Sequence, residues 1–498
     1  MPADQTRRSG WLVSTSIDTT RRDRVKLCAF FPWLGGRELA KALFIKTWGC
    51  QMNVYDSARM ADVLAPVGYH PVDRAEDADM VILNTCHIRE KAADKVFSEL
   101  GRLKALKRRK AVNGGRLIIA VAGCVGQAEG AEIMARAPYV DMVFGPQTFH
   151  RLPEMVAAAD SAPGQGVLDT EFPPESKFDF LPEEQGSQGI SAFLAIQEGC
   201  DRFCTYCVVP YTRGAEFSRP AADILAEAQR LLAGGAVELT LLGQNVNAWK
   251  AAAPNGGTWG LGRLLREVAE LEGVARLRYT TSHPSDMDED LIQAHRDVPT
   301  LMPFVHLPVQ SGSDLILAAM NRRHKAADYL RVVERLRAAR PDIGLSSDFI
   351  VGFPGETDQD FADTLALIEA VGYAQAYSFK YSARPGTPAA LLETDHVPDD
   401  IKTERLAVLQ ELVNRQQLAF NRALIGSVMP VLFDRPGKRA GQLLGRSPYM
   451  QSVHAEAGGE RLGTLAPVRI LGAHANSLSG RLVDSKEPEA APCPETPA

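Results

Sequence analysis

The chain has 498 residues, of which 45% are apolar and 23% charged, and its formal net charge is −6 at pH 7. This length predicts about three domains of ordinary globular composition. No run approaches the ~18–20 apolar residues of a membrane span, and eight cysteines are too few and too scattered for a disulfide scaffold. We therefore expect a cytoplasmic protein without a membrane partner that keeps its thiols reduced.

The two ends of the chain differ in composition from the rest. Five arginines precede an apolar run at 27–36, which Pro32 interrupts, so this run does not fit a signal peptide. We expect residues 1–40 to be a disordered leader or the product of a wrongly assigned start codon. Residues 486–498 have the composition of a disordered tail, and Cys28 and Cys493 at the two ends are incidental in this interpretation.

Residues 41–157 alternate short apolar runs with helical stretches, which predicts a parallel α/β sheet covered on both faces. The runs at 42–47, 80–83 and 117–122 are followed by Cys50, Cys86 and Cys124, respectively. Because ligands gather at the carboxyl edge that parallel strands share, the three thiols are predicted to converge as ligands of an iron–sulfur cluster. The alternative is that they are small buried apolar side chains.

Residues 158–185 are rich in Pro, Gly, Glu and Ser and are predicted to form a linker. The alternation resumes in the next region, 186–420. Its predicted strands are 192–199, 237–243, 276–282, 303–310, 343–352 and 374–382. Six such units are too few for a closed eight-stranded barrel, so we predict an open, partial (β/α)6 barrel with its chemistry at the carboxyl ends of the strands.

The first of these strands ends in a C-x3-C-x2-C motif formed by Cys200, Cys204 and Cys207. Soft thiolates suit an iron–sulfur cube, and three ligands leave one of its four irons open to a small molecule. A closed zinc site would normally add a second cysteine or histidine pair, and none follows. The motif favours a catalytic cluster, with a structural metal knuckle as the alternative.

A helical segment at 401–424 leads into a β-like unit at 421–485. Its predicted strands are 429–433, 442–444, 451–454 and 467–471. Between residues 421 and 481 there are eight Lys or Arg and only three Asp or Glu. A small basic β-barrel is a common nucleic-acid-binding module, although a solvated basic face would give the same count. The run 102–116, with seven Lys or Arg, is explained equally well by a solvated helix surface.

With these motifs in view, the chain resembles the radical S-adenosylmethionine methylthiotransferases over residues 41–485, and most of all the tRNA 2-methylthio-N6-dimethylallyladenosine synthases. The strongest segments are TWGCQMN at 47–53, GCDRFCTYCVVPYTRG at 199–214, LGQNVN at 242–247 and SDFIVGFPGET at 347–357. The resemblance implies three domains: a methylthiotransferase domain at 41–157, a radical SAM core at 186–420 and an RNA-binding TRAM barrel at 421–485.

The resemblance also implies two [4Fe–4S] clusters. The cluster on Cys200, Cys204 and Cys207 would bind S-adenosylmethionine and cleave it to a deoxyadenosyl radical. The auxiliary cluster on Cys50, Cys86 and Cys124 would be where sulfur is methylated and delivered. No catalytic residue beyond these ligands is assigned.

Contacts to S-adenosylmethionine follow from the same resemblance. Tyr206 occupies the position that contacts the adenine in family members. The turn Gly243, Gln244 and Asn245 corresponds to the Gly-rich turn for the methionine amino group, with Gln-Asn in place of the commoner Gly-Glu. Gln310 and Asp348 are candidates for hydrogen bonds to the ribose or the carboxylate. Loop packing and turn formation are the alternatives for each of these residues. His283 and His306 are not assigned.

The implied reaction installs a methylthio group at carbon 2 of N6-dimethylallyladenosine, position 37 in the anticodon loop of tRNA. We expect a monomer that receives electrons from a low-potential donor such as flavodoxin or ferredoxin. Sibling branches modify threonylcarbamoyladenosine in tRNA or an aspartate of a ribosomal protein. A non-catalytic iron–sulfur protein that binds RNA is an alternative from another class.

Overall fold

The structure is a computed structural model that describes residues 40–87, 92–183, 186–254, 256–392 and 396–483. The predicted leader, apart from residue 40, and the predicted tail, with Cys28 and Cys493, lie outside the described residues. None of the helices in the described part of the chain has the length and apolar character needed to cross a membrane.

A six-stranded parallel sheet forms the N-terminal part. Its strands are β1 (Lys41–Trp48), β2 (Tyr69–Pro71), β3 (Met80–Thr85), β4 (Ile118–Ala122), β5 (Met142–Phe144) and β6 (Val167–Asp169), in the spatial order β2-β1-β3-β4-β5-β6. Its helices are α1 (Gln51–Leu64), α2 (Ala92–Val112), α3 (Gly123–Arg136) and α4 (Leu152–Ser161). Alternate residues of β3 and β4 enter separate apolar cores on the two faces of the sheet, as expected for a sheet covered on both sides.

The N-terminal sheet has three strands that the sequence pattern did not predict. These strands, β2, β5 and β6, have three residues each, which is too short for a clear apolar period. The segment 158–185, predicted to be a linker, contains the end of α4 and supplies β6 to the sheet edge. Its Pro and Gly residues mark turns around a short edge strand, and the linker prediction was wrong for that strand.

The central region contains ten strands and eight helices among the described residues. The strands are β7 (Ser191–Ala195), β8 (Gln197–Glu198), β9 (Phe217–Ser218), β10 (Glu238–Leu242), β11 (Lys250–Ala252), β12 (Thr258–Gly260), β13 (Arg276–Tyr279), β14 (Phe304–His306), β15 (Gly344–Val351) and β16 (Gln375–Lys380). The helices are α5 (Val209–Arg213), α6 (Ala221–Ala233), α7 (Leu261–Ala269), α8 (Glu289–Asp297), α9 (Asp314–Ala319), α10 (Ala326–Ala339), α11 (Asp358–Val371) and α12 (Asp399–Ala423).

Six of these strands form an open, curved wall. They are arranged as two parallel three-stranded sheets, β7-β10-β13 and β14-β15-β16, joined by a parallel bridge between Leu277 and Leu301. The helix-facing residues of the strands are apolar and share one large core with the surrounding helices. The α/β architecture with a partial barrel is confirmed.

A closed five-stranded barrel completes the described chain. Its strands are β17 (Val428–Pro436), β18 (Gln442–Arg446), β19 (Ser452–Glu456), β20 (Leu465–Ala473) and β21 (Ser477–Leu482). The prediction included four of these strands and missed β21, whose sequence Ser-Leu-Ser-Gly-Arg-Leu has only two strong apolar residues, four positions apart. Two arginines of β13, Arg276 and Arg278, donate hydrogen bonds to backbone carbonyls of the barrel at Pro430, Arg446, Ser447 and Pro448, and this fixes the barrel against the central region.

Candidate functional site

The structure brings the three N-terminal cysteines together at the carboxyl edge of the sheet. Cys50 caps α1 directly after β1, Cys86 follows β3, and Cys124 lies in the first turn of α3 after β4. Because β1, β3 and β4 are parallel neighbours, their ends are adjacent. The Cys86 thiol is within hydrogen-bond distance of both other thiols.

Two glycines allow this close approach. Gly49 and Gly123 both have positive φ angles, +122° and +82°. A Cβ on Gly49 would lie 2.3 Å from the Cβ of Cys86, and a Cβ on Gly123 would lie 2.4 Å from Oδ1 of Asn84. Because a side chain at either position would collide with the wall of the site, both positions require glycine.

A buried asparagine pair holds this edge in place. The Cys50 thiol donates to Oδ1 of Asn53 at 3.0 Å, and Nδ2 of Asn53 donates to Oδ1 of Asn84 at 2.9 Å. Nδ2 of Asn84 donates in turn to the Asn53 carbonyl at 2.8 Å. These bonds join the start of α1 to the end of β3, which fixes the separation of the strand ends that carry the thiols.

A buried network of four charges lies behind the thiols. Arg213 donates to Oδ2 of Asp56 at 2.7 Å and to Oε1 of Glu198 at 2.6 Å. Lys177 reaches the same two carboxylates, at 3.3 Å and 2.8 Å. All four side chains are at most 3% exposed. The network contains two cations and two anions, as a buried set of charges requires.

This network also acts on the thiols. A hydrogen bond from Cys86 and the nearby Arg213 charge lower the pKa of Cys50 to about 7 and that of Cys124 to about 6, against the opposing effect of burial. The pKa of Cys86 is raised well above its usual value because its hydrogen bonds to both neighbours favour the protonated thiol. Thiolate is the form that binds metal, so two of the three side chains are prepared for ligation.

The three thiols form a soft donor set around a shared space. Within the described ranges, no three His, Cys, Asp or Glu side chains are arranged to hold a metal ion. The thiolates of an iron–sulfur cube bind different irons and therefore do not need to meet at one point. Three cysteines around a shared space are consistent with that requirement.

The second cysteine triplet lies in one loop between β8 and α5. Cys204 is buried, and Cys200 and Cys207 are half-buried. Burial raises the pKa of Cys200 to about 11 and that of Cys207 to about 12. The guanidinium of Arg322 donates to the Cys204 sulfur at 3.7 Å. Phe203, with a positive φ of 48°, lies exposed between the first two cysteines.

The residues predicted to contact S-adenosylmethionine lie around this loop in two groups. Tyr206 packs against an apolar cluster that includes Met320 and Phe353. Gln310 has a positive φ of 77°; its backbone nitrogen donates to the carbonyl of Asp348, and its carbonyl accepts from the nitrogen of Ile350. The structure thus places Tyr206 on one wall, and Gln310 beside Asp348 on another.

The turn predicted to bind the methionine amino group makes contacts within the protein. Oε1 of Gln197 accepts from the backbone nitrogens of Gln244 and Asn245 at 2.8 and 3.1 Å, and a Cβ on Gly243 would lie 2.5 Å from that oxygen. The Gln244 side chain accepts from the nitrogen of Gly199 at 2.7 Å. This turn supports the start of the cysteine loop, and Oδ1 of Asn245 remains buried without a hydrogen-bond partner.

Three residues that the sequence prediction left out or unassigned face the same loop: His283, Arg322 and His324. Each has a buried nitrogen without a hydrogen-bond partner, and the two imidazole rings meet edge to face at 5.5 Å. Burial and the Arg322 charge lower the pKa of both histidines, that of His324 to about 4. Because an unpaired buried polar atom is costly, the site fits a polar ligand. The position of His283 after β13 was its only signal in the sequence, and Arg322 and His324, which follow α9, had none.

Two sequence families match parts of the chain. The family described as "Uncharacterized protein family UPF0004" matches residues 42–145, and the Radical SAM superfamily matches residues 194–368. Over 450 residues the chain is 61% identical to the tRNA-2-methylthio-N(6)-dimethylallyladenosine synthase of Maricaulis maris (strain MCS10), an alignment that covers 90% of this chain and 98% of that protein.

Among solved structures, the fold is similar to that of the radical S-adenosylmethionine methyltransferase TsrM from Kitasatospora setae. The structure with cobalamin and a [4Fe-4S] cluster bound matches with a TM-score of 0.53 and 14% identity over 70% of this chain and 77% of that chain. The structure with tryptophan substrate and a SAM analog matches with a TM-score of 0.53 and 15% identity over 70% and 75%. At this identity the similarity concerns the fold alone.

Proposed function

The chain belongs to the tRNA-2-methylthio-N(6)-dimethylallyladenosine synthase family, and from that premise we propose how its residues divide the reaction. The protein is a radical SAM tRNA methylthiotransferase that converts N6-dimethylallyladenosine in tRNA to its 2-methylthio derivative. The observation that carries this conclusion is 61% identity along nine-tenths of the chain. The same observation favours the dimethylallyl branch over the threonylcarbamoyl and ribosomal-protein branches.

Cys200, Cys204 and Cys207 hold the [4Fe–4S] cluster in this proposal. When bound, that cluster supplies the electron for the cleavage of S-adenosylmethionine to a 5′-deoxyadenosyl radical. Around it the chain provides Tyr206 as an aromatic wall and Arg322 as a cation beside the Cys204 thiolate. The unpaired nitrogens of His283 and His324 are available to a polar ligand at the same loop.

In this proposal Cys50, Cys86 and Cys124 would hold the auxiliary cluster, which when bound would supply the sulfur for the methylthio group. Supporting it are the convergence of the thiols, the two glycines that allow that convergence, and the lowered pKa values of Cys50 and Cys124. Carbon 2 of adenine is an unactivated C–H position, so radical chemistry at one triplet is needed before sulfur from the other can be attached.

Arg213 is a positioning residue that connects the two triplets. It follows the radical SAM cysteines by six residues, yet its guanidinium lies beside Cys124 and Cys50 and bonds Asp56 on α1. Its partner Glu198 precedes Cys200 by two residues. We propose that this cation stabilises thiolates of the auxiliary site while fixing the distance between the two sites.

In this proposal the C-terminal barrel binds tRNA. The test is the double variant Lys438→Gln/Arg439→Gln, because both side chains are exposed on the barrel. We expect tRNA binding to weaken and the slope of log affinity against log salt to fall by about two, because each lost phosphate contact removes about one released counterion. The exposed pair Arg108 and Arg109 on α2 is the control, and its double Gln variant should keep the wild-type slope.

Further details of the assignment are proposals as well. We propose domain bounds of 41–169, 186–420 and 421–485, the first extended beyond 157 because β6 pairs with β5 in the N-terminal sheet. We also propose position 37 as the modified nucleoside, a cytoplasmic monomer, and a flavodoxin or ferredoxin as electron donor. The experiment that tests the function is mass spectrometry of tRNA nucleosides from cells with and without the protein. We expect the 2-methylthio nucleoside to disappear and N6-dimethylallyladenosine to accumulate. Unchanged nucleosides would contradict the function.

A further inference from the structure

The inner face of β16 presents two exposed aromatic side chains at the open edge of the partial barrel. Tyr377 and Phe379 are 46% and 47% exposed, although both lie on a strand of the central wall. β16 is the terminal strand of the described wall and pairs with β15 alone, and α12 packs against it. Large exposed aromatic groups at the mouth of a catalytic barrel indicate a contact surface.

The strand register places these two aromatic side chains on the same face as residues of the proposed cofactor site. Tyr377 is opposite Asp348, and Phe379 is opposite Ile350, so all four side chains are on one face of the parallel pair. The alternate residues of β15, such as Phe349, are buried against the helices, which assigns them to the outer face. Ile350 packs with the same apolar cluster as Tyr206 in the radical SAM loop. The aromatic pair is therefore continuous with the proposed cofactor site.

The two aromatic positions differ in their chemistry. The Tyr377 ring meets His306 edge to face at 6.2 Å, and burial and the Asp348 carboxylate raise the pKa of its hydroxyl. Phe379 is one step further along the strand, towards its carboxyl end, beside the aliphatic Ile350. The surface thus combines an aromatic ring with polar neighbours, at Tyr377, and an adjacent apolar patch, at Phe379 and Ile350.

We propose that this surface, formed by Tyr377, Phe379 and Ile350, binds the modified base itself: adenine stacks on Tyr377, and the five-carbon dimethylallyl group packs on Phe379 and Ile350. This inference rests on the proposed function and adds the residues that select the substrate. A single-stranded base is commonly held by aromatic stacking, and the alkyl group gains affinity by leaving water. The Asp348 carboxylate beside the surface disfavours the carboxylate of a threonylcarbamoyl group.

The test is equilibrium binding of the full-length protein to three anticodon stem–loop RNAs that carry adenosine, N6-dimethylallyladenosine or N6-threonylcarbamoyladenosine at the target position. We expect the wild type to bind the dimethylallyl RNA at least about tenfold more tightly than the other two, as burial of several methylene and methyl groups predicts. Phe379→Ser should reduce this preference to less than about threefold and leave binding of the adenosine RNA unchanged, because the deleted ring faces only the alkyl group.

Matched variants separate packing from stacking. Phe379→Leu should keep most of the preference, because leucine restores an apolar contact. Tyr377→Ala should weaken the binding of all three RNAs equally, by about tenfold, because one stacking contact with a base is lost. Phe180, which is 54% exposed and stacks on His150 of the N-terminal region, is the control, and Phe180→Ser should bind as the wild type does.

Three results would overturn the inference: a wild type without preference for the dimethylallyl RNA, a Phe379→Ser variant with the preference intact, or equal binding of the threonylcarbamoyl RNA. Each is distinct from failure of the proposed function, which would appear as a wild type that forms no 2-methylthio nucleoside in any of the RNAs. If the wild type modifies the dimethylallyl RNA but one of the three results is found, the proposed function stands and only the role assigned to this surface is rejected.

Discussion

Cys200, Cys204 and Cys207 come from one short loop, whereas Cys50, Cys86 and Cys124 come from the ends of three strands. The loop triplet has thiol pKa values raised by burial, with one cation, Arg322, beside Cys204. The strand-end triplet has two lowered thiol pKa values and a buried ion network behind it. Near neutral pH, Cys200 and Cys207 of the loop triplet therefore lose their protons only when they bind metal. At the strand-end triplet the fold itself already favours the thiolate form of Cys50 and Cys124.

The largest expected effect separates the triplets by function. Cys204→Ala should abolish formation of 5′-deoxyadenosine from S-adenosylmethionine, because in the proposed function that cysteine would ligate the cluster that donates the electron. Cys86→Ala should preserve this cleavage and stop methylthiolation. Chromatography of 5′-deoxyadenosine and mass spectrometry of tRNA nucleosides provide the two measurements. Full methylthiolation by the Cys86 variant would refute the auxiliary role.

A second prediction concerns the charge behind the strand-end triplet. Arg213→Gln leaves Asp56 and Glu198 short of a buried cation, so we expect the free energy of unfolding to fall by about 3–5 kcal/mol in urea titrations. The auxiliary cluster should also become harder to reduce, with a more negative potential, because a nearby positive charge is lost.

Arg219→Gln is the matched control for the Arg213 variant. Arg219 is also buried and pairs with Glu227 at 2.7 Å, so its loss should destabilise the protein by a similar mechanism. The potential of the auxiliary cluster should remain at the wild-type value in this variant. Equal potentials in both variants would show that Arg213 has only a structural role.

A third prediction tests the close approach at the strand-end site. Gly123→Ala places a methyl group 2.6 Å from the Thr85 carbonyl oxygen at a positive φ, so we expect a loss of about 2–4 kcal/mol in stability and a lower iron content. Gly235→Ala is the control, because Gly235 has a φ of +97° and no neighbour within 4 Å. It should cost about 1–2 kcal/mol and retain all iron. Equal iron content in the two variants would count against the steric argument.

The smallest expected effect concerns the metal-free protein. The pKa of Cys50 is about 7 and that of Cys200 about 11, and both thiols are half-buried. Since only the thiolate is alkylated, iodoacetamide at pH 8 should modify Cys50 at least about tenfold faster than Cys200, as measured by peptide mass spectrometry. The Cys50 rate should level off above pH 7, while the Cys200 rate should continue to rise to pH 11. Equal alkylation rates of Cys50 and Cys200 at pH 8 would contradict the difference in thiol pKa between the two triplets.

The same contrast explains what the sequence could predict. The spacing of Cys200, Cys204 and Cys207 is local, so the motif is visible in the chain itself. The convergence of Cys50, Cys86 and Cys124 followed from one topological rule, that parallel strands end at the same edge. Both predictions needed only backbone periodicity and residue type.

The buried network could not be predicted in this way. Arg213 meets Asp56 across 157 residues, and Lys177 meets it across 121. No local pattern marks such pairs, because burial of a charge depends on how domains pack. Lys177 even lay in the segment predicted to be a linker. The roles of Gln244 and Asn245 were likewise hidden, since their contacts with Gln197 and Gly199 appear only when two strand ends are adjacent.

Iron and acid-labile sulfide analysis of anaerobically prepared protein tests most directly whether each triplet holds its own cluster. The wild type should contain iron and sulfide for two [4Fe–4S] clusters. The triple Ala variant of Cys50, Cys86 and Cys124 should contain one cluster, and so should the triple Ala variant of Cys200, Cys204 and Cys207. An undiminished iron content in the first of these variants would contradict the account.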